Sequence, residues 1–128
     1  MTLEEAIIAR IVAASTPAGS RVFREIIAQE PALPAVAVAR TSGEAAVRDA
    51  TGAALLTRSR VSVTILAETV ASAASCAAAV RSALDNWKGT ISDVTVETAR
   101  WRAESDRADA DGDKLLRLIL QDFEFVHR

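Results

Sequence analysis

Acidic residues alternate around Gly112 in the stretch RADADGD at residues 107–113. Such a cluster could bind calcium, but an EF-hand loop needs oxygen ligands at its first, third and fifth positions, glycine at the sixth and glutamate at the twelfth. With Gly112 at the sixth position, the first is Arg107 and the twelfth is Leu118, so the motif fails at both ends. We therefore interpret the stretch as a polar hairpin turn in which Asp111 and Gly112 provide left-handed backbone, with incidental cation binding as the lesser alternative.

The other reactive side chains are isolated from one another. His127 is the only histidine and lies one residue from the end of the sequence, so we expect a solvent-facing strand end rather than a catalytic triad. Cys76 has no cationic residue one helical turn away that would stabilise a thiolate, so we expect a buried and inert thiol. The five glycines form no phosphate-binding motif. The sequence therefore predicts no catalytic residue, no metal ligand and no cofactor, and a small enzyme or ligand-binding domain is the weakest alternative.

Two pairs of arginines could make ionic contacts. One pair flanks Ser59 and the other flanks Trp101. Alternate residues of a strand lie on one face, so each pair could bind carboxylates of a partner subunit or phosphates of DNA, although a solvated strand face is the commoner explanation. Tryptophan between arginines favours an interface, because both residue types are enriched in binding hot spots. With two aromatic residues of the last apolar stretch, the candidate interface residues are Arg58, Arg60, Arg100, Trp101, Arg102, Phe123 and Phe125.

The composition limits the classes of function. The chain has 128 residues, 15 basic and 17 acidic side chains, and a formal net charge of −2. This length suits a single domain over residues 1–128, and the charge excludes a protein that wraps nucleic acid. One cysteine excludes an internal disulfide. No apolar run is long enough to cross a bilayer, and glutamates stand where a signal peptide has basic residues, so we expect no membrane contact and a cytoplasmic place of assembly.

Two segments have the periodicity of amphipathic helices. Thr2 and Glu5 form a capping-box pattern ahead of apolar residues at helical spacing, which predicts a helix over residues 3–14. Residues 69–86 carry an apolar stripe on an alanine-rich background, which predicts a second helix. The small side chains of this second helix would let it lie close to a sheet.

Alternating apolar residues predict four strands. The first two form a long hairpin whose tip lies near residues 43–54, and a third passes through Val94 and Val96. The last strand, in residues 114–128, is apolar on both faces, which indicates a central position or cover by a neighbouring subunit. Residues 22–27 predict only a short turn of structure. The predicted fold is α+β: an antiparallel sheet of about four strands with two helices on one face, in the order α-β-β-α-β-β.

Four weak motifs occur along the chain in an order that resembles that of a known protein family. They are LPAVAVARTSG at residues 33–43, RSRVSVTILA at 58–67, AAAVRSALDNWKGTISDVTV at 77–96 and LRLILQDFEFV at 116–126. In their order and spacing, over nearly the whole chain, they resemble the tail terminator or tail completion proteins of long-tailed bacteriophages, prophages and gene transfer agents. None of the motifs is specific by itself.

The resemblance implies a structural protein without an active site. Proteins of that family form a ring, usually a hexamer, on the last layer of the tail tube, stop its polymerisation and offer a surface to the head completion or connector proteins. The implied partners are other copies of the chain, the tail tube protein and a head-side protein, with DNA only in transit. The implied location is the bacterial host cytoplasm during assembly and then the tail of the particle. An adaptor elsewhere at the head-to-tail joint is the alternative.

A ring through which DNA slides gains from a lumen that does not hold phosphate. The acidic stretch could serve this purpose by facing the lumen or the rim of the ring. The candidate residues are Glu104, Asp106, Asp109, Asp111 and Asp113.

Overall fold

The computed structural model describes residues 1–25, 32–111 and 114–128. Within these ranges the chain forms two helices and six strands. In chain order they are α1 (Leu3–Ala13), β1 (Val22–Arg24), β2 (Ala35–Arg48), β3 (Ala54–Ala67), α2 (Val70–Leu84), β4 (Gly89–Ile91), β5 (Val94–Asp111) and β6 (Lys114–His127).

The six strands form one curled half-barrel sheet in the order β1-β2-β3-β6-β5-β4. β1 is parallel to β2, and every other neighbouring pair is antiparallel. The prediction of a four-stranded antiparallel sheet in the order α-β-β-α-β-β is therefore wrong in strand number and in pairing. The two strands it lacked, β1 and β4, have three residues each, which is too short for an alternating pattern to be visible in the sequence.

The turn of the β2–β3 hairpin is tighter than predicted. β2 continues through Gly43 to Arg48, and β3 begins at Ala54, so the turn occupies residues 49–53 rather than 43–54. The Asp49 carboxylate closes this turn by accepting hydrogen bonds from the backbone N–H groups of Thr51 (2.8 Å) and Ala53 (3.0 Å). Small and polar residues in the hairpin thus extend the ladder instead of ending it.

Both predicted helices are confirmed to within one or two residues. The Thr2 hydroxyl accepts a hydrogen bond from the Glu5 N–H (3.2 Å), and the Glu5 carboxylate accepts one from the Thr2 N–H (3.1 Å), which completes the capping box of α1. The Thr69 side chain accepts a hydrogen bond from the Ser72 N–H (3.1 Å) at the start of α2.

A single core joins both helices to one face of the sheet, which we call the inner face. α1 contributes Ile7 and Ile11, and α2 contributes Cys76, Val80 and Leu84, all fully buried. The strands contribute a row of aliphatic and aromatic side chains at alternate positions: Val36, Val38, Val61, Val63, Ile65, Val96, Ile119, Phe123 and Phe125. Because strand side chains alternate, the intervening residues lie on the opposite, outer face.

The two long hairpins extend from opposite ends of the sheet. Thr57 is paired with His127, so the β2–β3 hairpin continues past the end of β6. Ala67 is paired with Arg117, so the β5–β6 hairpin continues past the end of β3 in the other direction. The sheet therefore has a β2–β3 end and a β5–β6 end, each formed by one projecting hairpin.

Candidate functional site

The strand register places the predicted arginines around one carboxylate on the outer face. Arg60 and Arg100 are each paired in register with Glu124 of β6, from opposite sides. The guanidinium of Arg58 lies 3.3 Å from the Glu124 carboxylate and 3.4 Å from that of Glu44. That of Arg102 lies 3.6 Å from Glu124. Glu124 thus links β3 to β5 across β6, and we call these residues the arginine–glutamate network.

Most side chains of this network are exposed to solvent. The side chains of Arg58, Arg102 and Glu44 are 42%, 51% and 68% exposed, whereas that of Glu124 is 22% exposed. Exposed ion pairs stabilise a fold by only ~0.2–1 kcal/mol each. The network is therefore better suited to presenting oriented charge to a neighbour than to holding the sheet together.

Trp101 lies on the inner face, not beside its flanking arginines. Its ring packs against the guanidinium of Arg81 from α2, whose central carbon is 3.8 Å from the ring centroid. Its backbone N–H donates to the Asp85 carboxylate (3.0 Å). Trp101 is only half-buried, so part of the ring remains available at the junction of α2 and β5.

Phe123 and Phe125 are inside the core. Both side chains are fully buried, and their ring centroids are 6.1 Å apart. A partner could not reach either ring without opening the core, so their part in an interface would be to hold β6 in place. The seven candidate residues are thus divided, with four arginines exposed or nearly so and three aromatic rings turned towards the helices.

The acidic stretch begins as the last part of β5. Glu104 is exposed, and its carboxylate accepts a hydrogen bond from the side-chain amide of Gln121 (2.9 Å). Asp106 is also exposed. Asp109 and Asp111 are paired in backbone register with Leu116 and Lys114. Asp113 and Gly112 lie outside the described residues, so the predicted lumen or rim role of the stretch stays a prediction.

A groove runs between the start of α2 and the β5–β6 hairpin. It has a volume of about 290 Å³ and is lined on the helix side by Val70, Ala73 and Ala74. On the hairpin side it is lined by Asp106 and Ile119 among others. The groove exists because the hairpin continues beyond the first turn of α2, leaving part of its inner face uncovered.

Gln121 is a buried polar residue that the sequence patterns did not single out. Its side-chain N–H groups donate to the Ala77 carbonyl of α2 (3.0 Å) and to Glu104 of β5 (2.9 Å). The only signal for it is a polar residue at the inward-facing parity between Ile119 and Phe123. Gln121 therefore connects α2 to the β5–β6 hairpin, at the point beyond which α2 no longer covers the hairpin.

His127 is half-buried, contrary to the expectation of a solvent-facing strand end. Its Nε2 lies 2.8 Å from the hydroxyl oxygen of Ser59, which is fully buried. Burial lowers the pKa of His127, Arg40 lowers it further, and Glu4 acts in the opposite direction. Among the residues that the structure describes, no carboxylate is hydrogen-bonded to the imidazole, so the pair does not extend to a catalytic triad.

Cys76 is confirmed as a packed thiol. It is fully buried on α2, and burial raises the pKa of the thiol above its usual range. The described parts of the chain contain no group of three or more histidine, cysteine or acidic side chains placed to hold a metal ion. In the same parts, neither helix has the length and apolarity to span a membrane.

Two comparisons with known proteins match nearly the whole chain. Residues 5–128 match the family described as Tail completion protein gp17. Among solved structures, the chain is similar to one in the virion of a native gene transfer agent particle, with a TM-score of 0.65 and 18% identity. That similarity covers 98% of this chain and 95% of the other. No curated protein matches.

Proposed function

Because the chain belongs to the family of tail completion protein gp17, we propose that it is the terminator of a phage-like tail. It is a structural component of such a tail and not an enzyme. In the proposed role, copies of the chain form a ring, a hexamer by our expectation, on the last layer of the tail tube. The ring stops polymerisation of the tube and presents its other side to the head completion proteins.

The opposed hairpins are the observation that carries this proposal. A terminator has two different neighbours, the tube protein on one side and a head-side protein on the other. The β2–β3 and β5–β6 hairpins extend from opposite ends of one sheet, so a single chain can reach both neighbours at once. Exposed apolar residues occur at both ends: Val47 and Leu55 on one hairpin, 45% and 52% exposed, and Leu115 on the other, 54% exposed.

The charges of the outer face suit a surface along which DNA passes. Arg58 and Arg102 are opposed by Glu44 and Glu124 at 3.3–3.6 Å. Arginines already paired with carboxylates hold phosphate more weakly than free ones. In the proposed ring, the acidic stretch that follows on β5 lies at the lumen or the rim and adds repulsion. Glu104, which contacts Gln121 on the inner face, and Asp106, which lines the groove beside α2, act at the rim.

A measurement of tail length distinguishes the role of tail terminator from the role of head-side adaptor. Removing a terminator leaves tubes growing, so overlong tails are expected, whereas removing a head-side adaptor leaves tails of normal length without heads. The gene would be deleted in the producing strain and tail lengths measured by electron microscopy. Normal, unattached tails would reject the terminator in favour of the adaptor.

Substitutions at the two hairpin ends then test which end contacts the tube protein and which contacts the head-side protein. Val47→Asp with Leu55→Asp alters one end, and Leu115→Asp alters the other. Val12→Asp on α1, which is 39% exposed in the native chain, is the matched control because it changes an exposed apolar residue outside both hairpins. We expect overlong tails from one end and unattached tails from the other. Normal, attached tails from both would contradict the assignment of a neighbour to each end.

Charge reversal tests the acidic stretch separately. Asp109→Lys with Asp111→Lys converts two negative charges to positive ones in the segment expected at the lumen or rim. We expect slower or incomplete DNA delivery with tails of normal length, since an attractive lumen retains phosphate. Unchanged assembly together with unchanged DNA delivery would contradict a lumen or rim position.

A further inference from the structure

Among the residues that the structure describes, the sheet has long open edges on both sides. Within the described residues, β1 accompanies β2 only along Val36–Val38, and β4 accompanies β5 only along Val94–Val96. β2 continues to Arg48 and β5 to Asp111. We call residues 42–48 the open edge of β2 and residues 102–111 the open edge of β5. Such edges carry unpaired backbone groups that readily accept a further strand.

The hydrogen-bond pattern identifies the outward backbone groups of β5. In an antiparallel ladder, residues alternate between bonding to one neighbouring strand and to the other. The Ala99 carbonyl accepts from the Asn86 N–H (2.8 Å), and the Trp101 N–H donates to Asp85, so both residues direct backbone groups away from β6. After the register shift between Trp101 and Ala103, the alternation continues with Glu104, Asp106 and Ala108 outward.

The same reasoning applies to β2. The Val36 N–H donates to the Arg21 carbonyl (2.9 Å), and the Val38 carbonyl accepts from the Glu25 N–H (2.8 Å), so both residues direct backbone groups away from β3. After the register shift between Arg40 and Ser42, the alternation continues with Gly43 and Ala45 outward. In the described part of the chain, neither residue has a backbone partner on that side.

The directions of the two edges are complementary. β2 is antiparallel to β3, β3 to β6 and β6 to β5, so β2 and β5 run in opposite directions. A second copy placed beside the first by rotation about a ring axis, to which the strands are inclined, brings its β5 next to β2 in the antiparallel sense. Each copy contributes four long strands, which is an even number. The antiparallel alternation therefore continues from one copy to the next, whatever the number of copies.

The charges also favour contact between unlike edges. The open edge of β2 contains Arg48 and Glu44, with Arg40 just before it. The open edge of β5 contains four acidic residues and two arginines. A β5 edge against a second β5 edge would bring like charges together, whereas β5 against β2 does not. The contact is therefore between different surfaces, as a ring requires.

We propose that copies of this chain join by antiparallel pairing of the open edge of β2 in one copy with the open edge of β5 in the next. This deepens the proposed function, since it assumes the ring. The two edges lie at opposite ends of the sheet, so paired copies are displaced along their strands. Closed barrels need such a stagger of strand register. The ring is then one continuous sheet, with the helices of each copy on one side.

Proline at an outward position tests the pairing. Ala45→Pro and Ala108→Pro each remove an outward N–H and place a ring carbon where the neighbouring strand would lie, without removing a ladder bond inside the chain. Ala45→Ser and Ala108→Ser are the matched controls, because they change the same residues and keep the N–H. Assembly would be measured by native mass spectrometry, and folding by circular dichroism.

We expect each proline variant to remain folded and to form at least tenfold fewer rings than its serine control. A mixture of the two proline variants retains one intact β5 edge and one intact β2 edge, so it should form two-chain complexes. Rings formed by either proline variant alone, at the level of its serine control, would overturn the edge pairing.

Hydrogen exchange provides a measurement that needs no variant. The amides of Gly43, Ala45, Asp106 and Ala108 should exchange at least tenfold more slowly in assembled tails than in the dissociated chain, and equal rates would overturn the pairing. The test is separable from that of the proposed function. Tails capped at normal length by the proline variants reject only the edge pairing, whereas normal tail length after gene deletion rejects the terminator.

Discussion

The β2–β3 and β5–β6 hairpins are built alike over the middle of the sheet and differently at their ends. In the middle, both turn aliphatic or aromatic residues towards the helices, as Val61 and Phe123 do side by side. At its end, the β2–β3 hairpin has a short turn closed by Asp49. The β5–β6 hairpin instead carries a run of acidic residues. Both hairpins thus contribute to one core, and their ends can differ because the ends lie outside that core.

The largest effect should come from the middle of either hairpin. Phe123→Ala on β6 should reduce the free energy of unfolding by about 3–5 kcal/mol, and Ile65→Ala on β3 by about 2–5 kcal/mol, because both side chains are fully buried. Leu55→Ala at the β2–β3 end should change it by no more than about 0.5 kcal/mol. Urea unfolding would measure all three. An end variant as damaging as a core variant would remove the distinction between middle and ends.

The second effect concerns His127, where β6 meets β3 near the β2–β3 end. Its lowered pKa means that the folded chain favours the neutral imidazole. The resulting stability is therefore present above the ordinary histidine pKa of about 6.5 and is lost as the pH falls towards the lowered pKa. Between pH 7 and 5 the melting temperature of the native chain should fall more steeply than that of His127→Gln. Parallel curves would show that the imidazole carries no such dependence.

A smaller effect is expected from the arginine–glutamate network. A double-mutant cycle with Arg58→Ala and Glu124→Ala should give a coupling of about 0.2–1 kcal/mol, and less at high salt, because the Arg58 side chain is 42% exposed. Urea unfolding at low and high ionic strength would measure it. A coupling of several kcal/mol would mean that the outer face stabilises the sheet instead of mainly presenting charge.

The smallest effect on the whole chain should come from the Asp49 turn. Hydrogen bonds from the Thr51 hydroxyl and from the backbone N–H groups of Ala53 and Thr51 lower the pKa of Asp49. The turn should therefore be intact above the usual aspartate pKa and loosen as the pH falls through the lowered value. Asp49→Ala should speed amide exchange at Thr51 and Ala53 and leave the melting temperature nearly unchanged. Unaltered exchange at both amides would show that the carboxylate does not hold the turn.

The helices and the long strands could be predicted because their side-chain patterns repeat. The capping box at Thr2 and Glu5 marked the start of α1, and alternation of apolar residues marked β3 and the core-facing part of β2. β1 and β4 could not be predicted, since three residues cannot show a period. The parallel pairing of β1 with β2 is a tertiary contact for which the sequence has no local signal.

The arginine–glutamate network was visible only in part. The spacing of the arginines within β3 and β5 identified them as candidates. Their contact with Glu124 could not be predicted, because it requires β6 to lie between those two strands. The inward direction of Trp101 and the half-buried position of His127 likewise follow from register across the sheet. Sequence patterns report which residues share a strand face, and only the register reports which faces meet.

The opposed hairpins also separate two electrostatic environments. β5 alone has 18 residues, which at ~3.3 Å per residue extends over roughly 60 Å. This distance is several times the ~8–10 Å over which salt screens exposed charges. Within one chain, a substitution at one end therefore leaves the potential at the other end unchanged. Under the proposed function, such a chain can change its affinity for one neighbour during evolution while its contact with the other stays intact.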